Sequence, residues 1–391
     1  MTLALPSCYR FAAVGCHVRP EWERDDLALI VSDRPAVAAG VFTQNRVAAA
    51  PVQVSQTRIP SANVRGIVVN AGNANACTGE QGLRDAEAIT VCAAECIGGQ
   101  PQQWLVASTG VIGRALPMDR LLTGIAVAAQ KLSDSDDSFH TVTRAILTTD
   151  TKPKIASKMV GETRIVGFAK GAAMIGPNLA TMLGFILTDA AIRPELLQAM
   201  LAEAADRTFN CVSVEGHTST NDTVFLLANG AGPPLGPHET KAFAVALETI
   251  CADLAEQIAA DAEGANHLVV IQVDGLVNGA DARKVAKCVA ESALVKTAIY
   301  GGDPNWGRIV SAAGYAGVPF HERDLSLWLG PHLLYDRGTP TPLDPLTPAA
   351  YLKANRRIDM RLVFTLGPAS CTFRTCDLTP EYVRLNGDYT T

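Results

Sequence analysis

The sequence predicts a mixed α/β protein, either α+β or a layered α/β arrangement. Three observations lead there. Short apolar runs bounded by turn residues, such as 27–33, 66–70 and 182–187, read as buried strands. Residues 239–260 carry an apolar stripe of Phe243, Leu247, Ile250, Leu254 and Ile258 on one helical face. Strands and helices mix without strict alternation, which sets aside a simple Rossmann or barrel order.

In chain order, 27–33 is a strand. The strand at 66–70 runs into a loop at 70–79 so rich in Asn and Gly that positive φ angles and side-chain-to-backbone hydrogen bonds are expected. Residues 84–97 and 119–132 are helical in pattern. Between them 103–110 is a strand ending in Ser108-Thr109-Gly110, where a hydroxyl and a backbone N–H can point at one oxygen or simply close a strand. A strand at 163–168 leads to Lys170, and 193–207 is a helix. The polar run Thr218–Thr223 precedes a strand at 224–228, and 233–237 (Pro-Pro-Leu-Gly-Pro) is a linker. After the helix at 239–260 come a strand at 267–273, a helix at 282–298, a turn-rich segment at 301–308, strands near 324–329, 360–366 and 371–376, and a polar tail at 384–391.

Composition narrows the function classes. The chain has 391 residues, 48% of them apolar and 18% charged, a globular composition with room for two or three domains. The net charge of −6 and the lack of a basic stripe argue against nucleic acid as a partner. No secretory leader or membrane span is read, since Pro177 and Asn178 interrupt the most apolar window, so a cytoplasmic location is expected. The ten cysteines form no Cys-x-x-Cys pair. Cys92 and Cys96 lie one helical turn apart without a histidine cluster, so no metal is expected.

The most suggestive stretch is Lys170 to Ala190. A Gly176-Pro177-Asn178 turn leads to the small Ala180, then Thr181, then the apolar strand. A hydroxyl at the start of a buried strand after a tight turn is where a self-cleaving precursor places its nucleophile. An ordinary turn with a threonine at the strand start has the same sequence, and the local residues leave both readings open.

Nine segments, in order along nearly the whole chain, decide between them. They include Asn70-Ala-Gly-Asn-Ala-Asn-Ala-Cys-Thr-Gly79, Ser108-Thr-Gly-Val-Ile-Gly113, Thr148-Thr-Asp-Thr151, Pro177-Asn-Leu-Ala-Thr-Met-Leu183, Thr218-Ser-Thr-Asn-Asp-Thr223 and Gly301-Gly-Asp-Pro-Asn-Trp-Gly-Arg308. With these the chain resembles the ornithine acetyltransferase (ArgJ) family of glutamate N-acetyltransferases. The resemblance implies a layered α/β sandwich of the DmpA/ArgJ-like type with a smaller C-terminal α/β domain. It places an acyltransferase domain at 1–238 and the C-terminal domain at 239–391. It implies self-cleavage between Ala180 and Thr181 into an alpha chain, 1–180, and a beta chain from 181, with two of each in a heterotetramer. Thr181 matches the family nucleophile, and Thr109 and Gly110 match its oxyanion hole. Thr148, Lys170, Thr181, Glu263, Asn386 and Thr391 match its substrate-binding positions. Lys170 and Thr148 suit a shared α-carboxylate, Glu263 an amine.

The implied reaction moves acetyl from N2-acetylornithine to glutamate, in arginine biosynthesis, with no cofactor. Whether acetyl-CoA is also a substrate stays open. Three positions depart from the family pattern: Ala262, Glu215 and His217. Ala262 reads as a tightened turn. His217 either alters substrate choice or is a surface change. Competing expectations are a self-processing amidohydrolase or aminopeptidase, a secondary-metabolism relative with another acyl acceptor, and a non-catalytic member that keeps the fold.

Overall fold

The structure, a computed structural model, describes residues 3–176 and 182–388. The N-terminal part contains β1 (Tyr9–Val14), β2 (Leu27–Phe42), α1 (Ala50–Gln56), β3 (Ser61–Asn73), α2 (Gly79–Ile97), β4 (Trp104–Val111), α3 (Met118–Gln130) and α4 (Asp136–Ala145). It continues with β5 (Lys154–Val160), β6 (Thr163–Lys170), β7 (Leu183–Thr188), α5 (Pro194–Arg207), β8 (Thr223–Ala228) and α6 (Pro237–Ala260). Among the described residues the strands form one eight-stranded sheet in the order β4-β3-β2-β8-β7-β6-β5, with β1 added against β2.

The long strand β2 organises this sheet. Its residues 27–32 pair with β1, while residues 37–42 pair with β8, and its pairing to β3 slips between Val31 and Ala36. The sequence reading ended this strand at Asp33. Pro35 lies within that slip, where a missing N–H costs no ladder bond, so the strand continues past it.

Alternation along the strands sends side chains into three apolar clusters. Leu27, Leu29 and Val31 face Val68, Trp104 and the helices α2 and α3. Their neighbours Ala28 and Ile30 join Phe11, Phe139, Phe168, Phe185 and Phe225. Within that group the Phe168 and Phe185 rings stack at 5.1 Å, and Phe139 meets Phe11 and Phe168 edge-on at 5.3 Å each. On the third face Ile165, Ile186 and Leu226 meet α5 and α6. All five predicted apolar residues of α6 are buried there. Gly167 lets that helix come close, since a Cβ would stand 2.7 Å from Ile250 Cγ2.

The C-terminal part has β9 (Leu268–Leu276), α7 (Gly279–Glu291), α8 (Ala293–Tyr300), α9 (Trp306–Gly314), β10 (Leu325–Leu329) and β11 (His332–Asp336). Then follow β12 (Thr339–Pro340), α10 (Leu346–Ala354), β13 (Arg357–Phe364), β14 (Ala369–Cys376) and α11 (Pro380–Asp388). Its six strands form a second sheet, ordered β12-β11-β10-β13-β9-β14. Val285, Val289, Ile309 and Ala313 pack its buried face together with Ile271 and Leu362. Helix α6 belongs spatially to the first sheet although it lies C-terminal of the proline-rich linker.

The single helix read at 282–298 is two. Ser292 breaks it and caps the second piece, its hydroxyl accepting from the Val295 N–H at 3.4 Å. The turn-rich 301–308 segment ends in a helix start, with Asn305 Oδ1 accepting from the Arg308 N–H at 3.1 Å. Most of the polar tail is helical, through α11. No helix among the described residues is long and apolar enough to cross a membrane.

Candidate active site

Strands β3 and β4 run parallel and end together. There Gly72 lies opposite Gly110, and the ladder becomes irregular at Asn73. Gly110 has φ +134°, and a Cβ on it would stand 2.2 Å from the Gly72 carbonyl carbon. Only glycine fits this close approach, and the kink leaves Thr109 and Gly110 at the wall of a cavity.

The Asn-rich loop after β3 adopts the expected positive φ at Asn75 and Cys77. Its side chains bond to backbone. Asn75 Nδ2 donates to Gly82 O at 2.9 Å, its Oδ1 accepts from the Thr78 hydroxyl at 2.8 Å, and its own N–H donates to Asn73 Oδ1 at 2.8 Å. Asn221 joins this loop to the end of β4. Its Nδ2 donates to the carbonyls of Ala74 at 2.6 Å and Ser108 at 2.8 Å, while its Oδ1 accepts from Thr220 Oγ1 at 2.6 Å. The carbonyl beside Thr109 is therefore fixed from the far side of the sheet.

Lys170 ends β6 and is buried, not a surface lysine. Its ammonium donates to Thr109 Oγ1 at 3.3 Å. An ammonium has no lone pair to offer, so the threonine oxygen accepts and its own proton stays available for an oxygen in the cavity. Burial pulls the Lys170 pKa down, and the Asp150 carboxylate works against it.

Beneath this pair lies a buried charge network. Lys154 bonds Asp150 and Asp261, each at 2.5 Å, and Asp150 accepts the Gly171 N–H at 2.6 Å. Thr151 donates to Asp261 through both its N–H, at 3.0 Å, and its hydroxyl. Burial pushes the Asp150 carboxyl up, but Lys170 and Lys154 outweigh it and hold it down at about 2. The network ties the Thr148–Thr151 turn to the end of α6, just ahead of Glu263.

The C-terminal part contributes two further groups. Glu263 sits in the turn after α6, its N–H bonded to Ala172 O at 2.9 Å. Gly264, at φ +68°, packs against the backbone of Tyr382, and Thr379 Oγ1 donates to its carbonyl at 2.7 Å. Helix α11 is thereby held over the turn, and Asn386 Nδ2 donates to Glu263 Oε2 at 3.0 Å.

Thr109, Gly110, Thr148, Lys170, Glu263 and Asn386 all line one cavity. They come from β4, the turn before β5, the end of β6, the turn after α6, and α11. Ala180, Thr181 and Thr391 lie outside the described residues. Both flanks of the 177–181 stretch are anchored beside the cavity. Ile175 O accepts the N–H groups of Val214, Glu215 and Gly216 at 2.7, 3.2 and 3.2 Å, and its own N–H donates to the Glu215 carboxylate. On the other side the Met182 N–H donates to the buried Asp222 at 3.1 Å. Burial raises the Asp222 carboxyl well above its usual range, against the pull of that N–H and of Lys170. Burial also lifts Glu215, to about 8. His217 is exposed, and Ala262 is buried in the turn ahead of Glu263.

Sequence reasoning missed Asn221, Asp150, Lys154, Asp261 and Asp222. Asn221, Asp222 and Asp150 stand inside motifs already quoted, which is the signal that could have found them. Lys154 reads as one end of a polar alternation and carries no such mark.

A profile of the ArgJ family matches residues 10–391. The chain is 43% identical over 396 residues to the arginine biosynthesis bifunctional protein ArgJ of Rhodopirellula baltica, covering 99% of this chain and 96% of that one. It is 45% identical over 380 residues to the protein of the same name from Symbiobacterium thermophilum, covering 94% and 93%. Among solved structures, arginine biosynthesis bifunctional protein argJ from Bacillus halodurans is similar with a TM-score of 0.51 at 39% identity, over 52% of this chain and 98% of that one. With a family match along almost its whole length, the chain belongs to the ArgJ family.

Proposed function

We propose that this protein transfers the acetyl group of N2-acetylornithine to glutamate, in arginine biosynthesis, through an acetyl ester on Thr181 formed after self-cleavage at Ala180–Thr181. One observation carries the reading: six side chains or backbone groups spread from residue 109 to residue 386 converge on one cavity, next to the anchored flanks of the cleavage junction. The names of the relatives support the pathway.

The chemistry follows from what a threonine can do. An internal Thr181 has a weakly nucleophilic hydroxyl and no free amine. Its oxygen attacks the Ala180 carbonyl, the peptide becomes an ester, and water releases residues 1–180. The new α-amine, with an ordinary pKa near ~7.7–8, is partly unprotonated at neutral pH and takes the hydroxyl proton. The hydroxyl then attacks the acetyl carbonyl of N2-acetylornithine. The oxyanion is met by the Thr109 O–H and the Gly110 N–H, and ornithine departs with a proton on its amine. Glutamate's amine attacks the acetyl-threonine ester and leaves as N2-acetylglutamate, which restores the hydroxyl. Lys170 and Thr148 hold the α-carboxylate common to both amino acids, and Glu263 an amine. One amide is exchanged for another, so no cofactor is required; acetyl-CoA is a further acyl donor to be tested.

The layered sandwich reading is supported by the apolar cluster shared between β1–β3 and β6–β8, with helices on the outer faces. A division into two units near 238/239 is supported by the two separate sheets, although α6, C-terminal of that point, packs on the first. We assign the cleaved chain to a heterotetramer of two alpha and two beta fragments in the cytoplasm.

The test is purified protein with N2-acetylornithine and glutamate, then acetyl-CoA and glutamate, beside a Thr181→Ala control. N2-acetylglutamate formation, with fragments 1–180 and 181–391 on a denaturing gel, is expected from the wild type alone. Free acetate without transfer would make the protein a hydrolase, and an uncleaved, inactive wild-type chain would overturn the reading.

A further inference from the structure

We propose that Cys211 and Cys371 form a peroxide-reactive dithiol, a covalent modification site on the side of the molecule where β14 meets the 209–215 segment. The two sulfur atoms lie 3.8 Å apart although 160 residues separate them in sequence. Their backbones are held in register by the Val212–Arg374 bridge and by the Ser213 N–H donating to Arg374 O at 3.0 Å. A disulfide needs the sulfurs to close to ~2.05 Å, a movement of about 2 Å, within the reach of side-chain rotation.

The surroundings distinguish this pair from two ordinary core thiols. Cys211 is buried and Cys371 half-buried, and both line a cavity of about 650 Å³ together with Asp206, Arg283 and Ser370. Two guanidinium groups flank the pair. Arg283 donates to both oxygens of Asp206, at 2.7 and 2.5 Å, and its buried Nε has no partner among the described residues. Among the described residues Arg374 has Nε and Nη1 buried without a hydrogen-bond partner, and the Glu256 carboxylate stands 3.8 Å from its Nε. Arg283 is already compensated by Asp206, so the positive charge that a thiolate would offset is mainly that of Arg374. The hydrogen bond between the two thiols pulls the Cys371 pKa below its ordinary value against the cost of burial, with Arg283 and Arg374 adding to it. The same bond, with burial, pushes Cys211 up. Cys371, the more exposed of the two sulfurs, is thus the one a peroxide reaches first, and Cys211 the partner that closes the disulfide. Cys92 and Cys96, also close at 4.0 Å, have no such field, and burial raises Cys92 to about 12.

The co-reactant is a hydroperoxide. The Cys371 thiolate attacks one peroxide oxygen, the O–O bond breaks, and a sulfenic acid and hydroxide form. The Cys211 sulfur then attacks the Cys371 sulfur. The S–S bond forms as the S–O bond breaks, and the leaving hydroxide takes the Cys211 proton as water. Two thiols lose two electrons and the peroxide gains them.

The test uses the full-length protein with hydrogen peroxide at pH 7, blocked with N-ethylmaleimide and analysed as peptides by mass spectrometry. An ordinary thiol is only a few per cent ionised at that pH, so a stabilised thiolate should react roughly tenfold faster. We expect a 211–371 linked peptide, two hydrogens lighter and reopened by dithiothreitol, to form about tenfold faster than the exposed Cys8 and Cys77 are oxidised. In Cys211→Ser, Cys371 should accumulate as a sulfenic acid captured by a cyclic 1,3-diketone. Absence of the link in wild-type protein whose Cys8 and Cys77 have oxidised overturns the proposal. So does a Cys371 in Cys211→Ser that is no more reactive than Cys77.

Discussion

The Lys170 ammonium lies 3.3 Å from the Thr109 hydroxyl oxygen, two buried groups brought together from the ends of β6 and β4. The contact fixes which way the threonine proton faces. Thr109→Ala removes that donor, and kcat for acetyl transfer should fall about 10²–10³-fold, the usual cost of one preorganised oxyanion donor. Thr109→Ser should retain most of the rate. Equal kcat for wild type and Thr109→Ala would remove Thr109 from the reaction.

Lys170→Met should weaken both amino-acid substrates together, because the α-carboxylate is what they share. A charge-assisted hydrogen bond contributes about 1.5–3 kcal/mol, so both KM values should rise by about 10- to 100-fold. Burial holds the Lys170 pKa below the ordinary 10.5, so wild-type kcat/KM should decline with rising pH before an exposed lysine would titrate. That alkaline limb should be missing in Lys170→Met, as steady-state profiles for each substrate will show.

Asn221 spends both amide hydrogens on the Ala74 and Ser108 carbonyls. Asn221→Ala leaves two buried acceptors unpaired, at about 1–3 kcal/mol each, and loosens the strand end that carries Thr109. Thermal unfolding should move down by several degrees, and kcat should fall more than KM rises. Asn221→Asp should be worse still, since a carboxylate would face two carbonyl oxygens. A variant with unchanged kcat would mean that β4 holds its end without help.

Glu215 tests the electrostatics of the anchored flank. Its folded pKa of about 8 lies above the ordinary 4.5, so the native state binds the extra proton between those values. Its contribution to stability is fully present below about 4.5 and is lost as pH rises through about 8. Glu215→Gln keeps an acceptor for the Ile175 N–H and cannot ionise. The stability of wild type relative to this variant should therefore decline steadily from pH 4.5 to 8, measured as a difference in Tm. A constant difference across that range would show that Glu215 titrates normally.

Deleting residues 386–391 removes the Asn386 contact to Glu263. If α11 closes the cavity, the acetyl-enzyme should then lose acetyl to water, seen as free acetate in place of N2-acetylglutamate. Unchanged transfer would show that this end of the chain is not part of the site.

The sequence alone determined the mixed α/β class, the apolar face of α6, most of the strands with uniform apolar runs, and, through its ordered motifs, membership of the ArgJ family. These are local properties: a period of 3.6, a buried run, a turn residue, a fixed string. It did not show β5, because the alternation Lys-Ile-Ala-Ser-Lys-Met-Val begins with a lysine that is buried only where Asp150 and Asp261 meet it. It joined α7 to α8 because Ser292 acts as a cap only when the chain turns there. Tertiary structure decided that the Asn221 amide reaches two carbonyls, that Lys170 is inside rather than on the surface, and that Glu263 and Asn386 touch across 123 residues. Such pairings have no sequence period. A buried polar side chain is stable only against partners that the fold supplies, so its place becomes visible only when the sheets and turns around it are assembled.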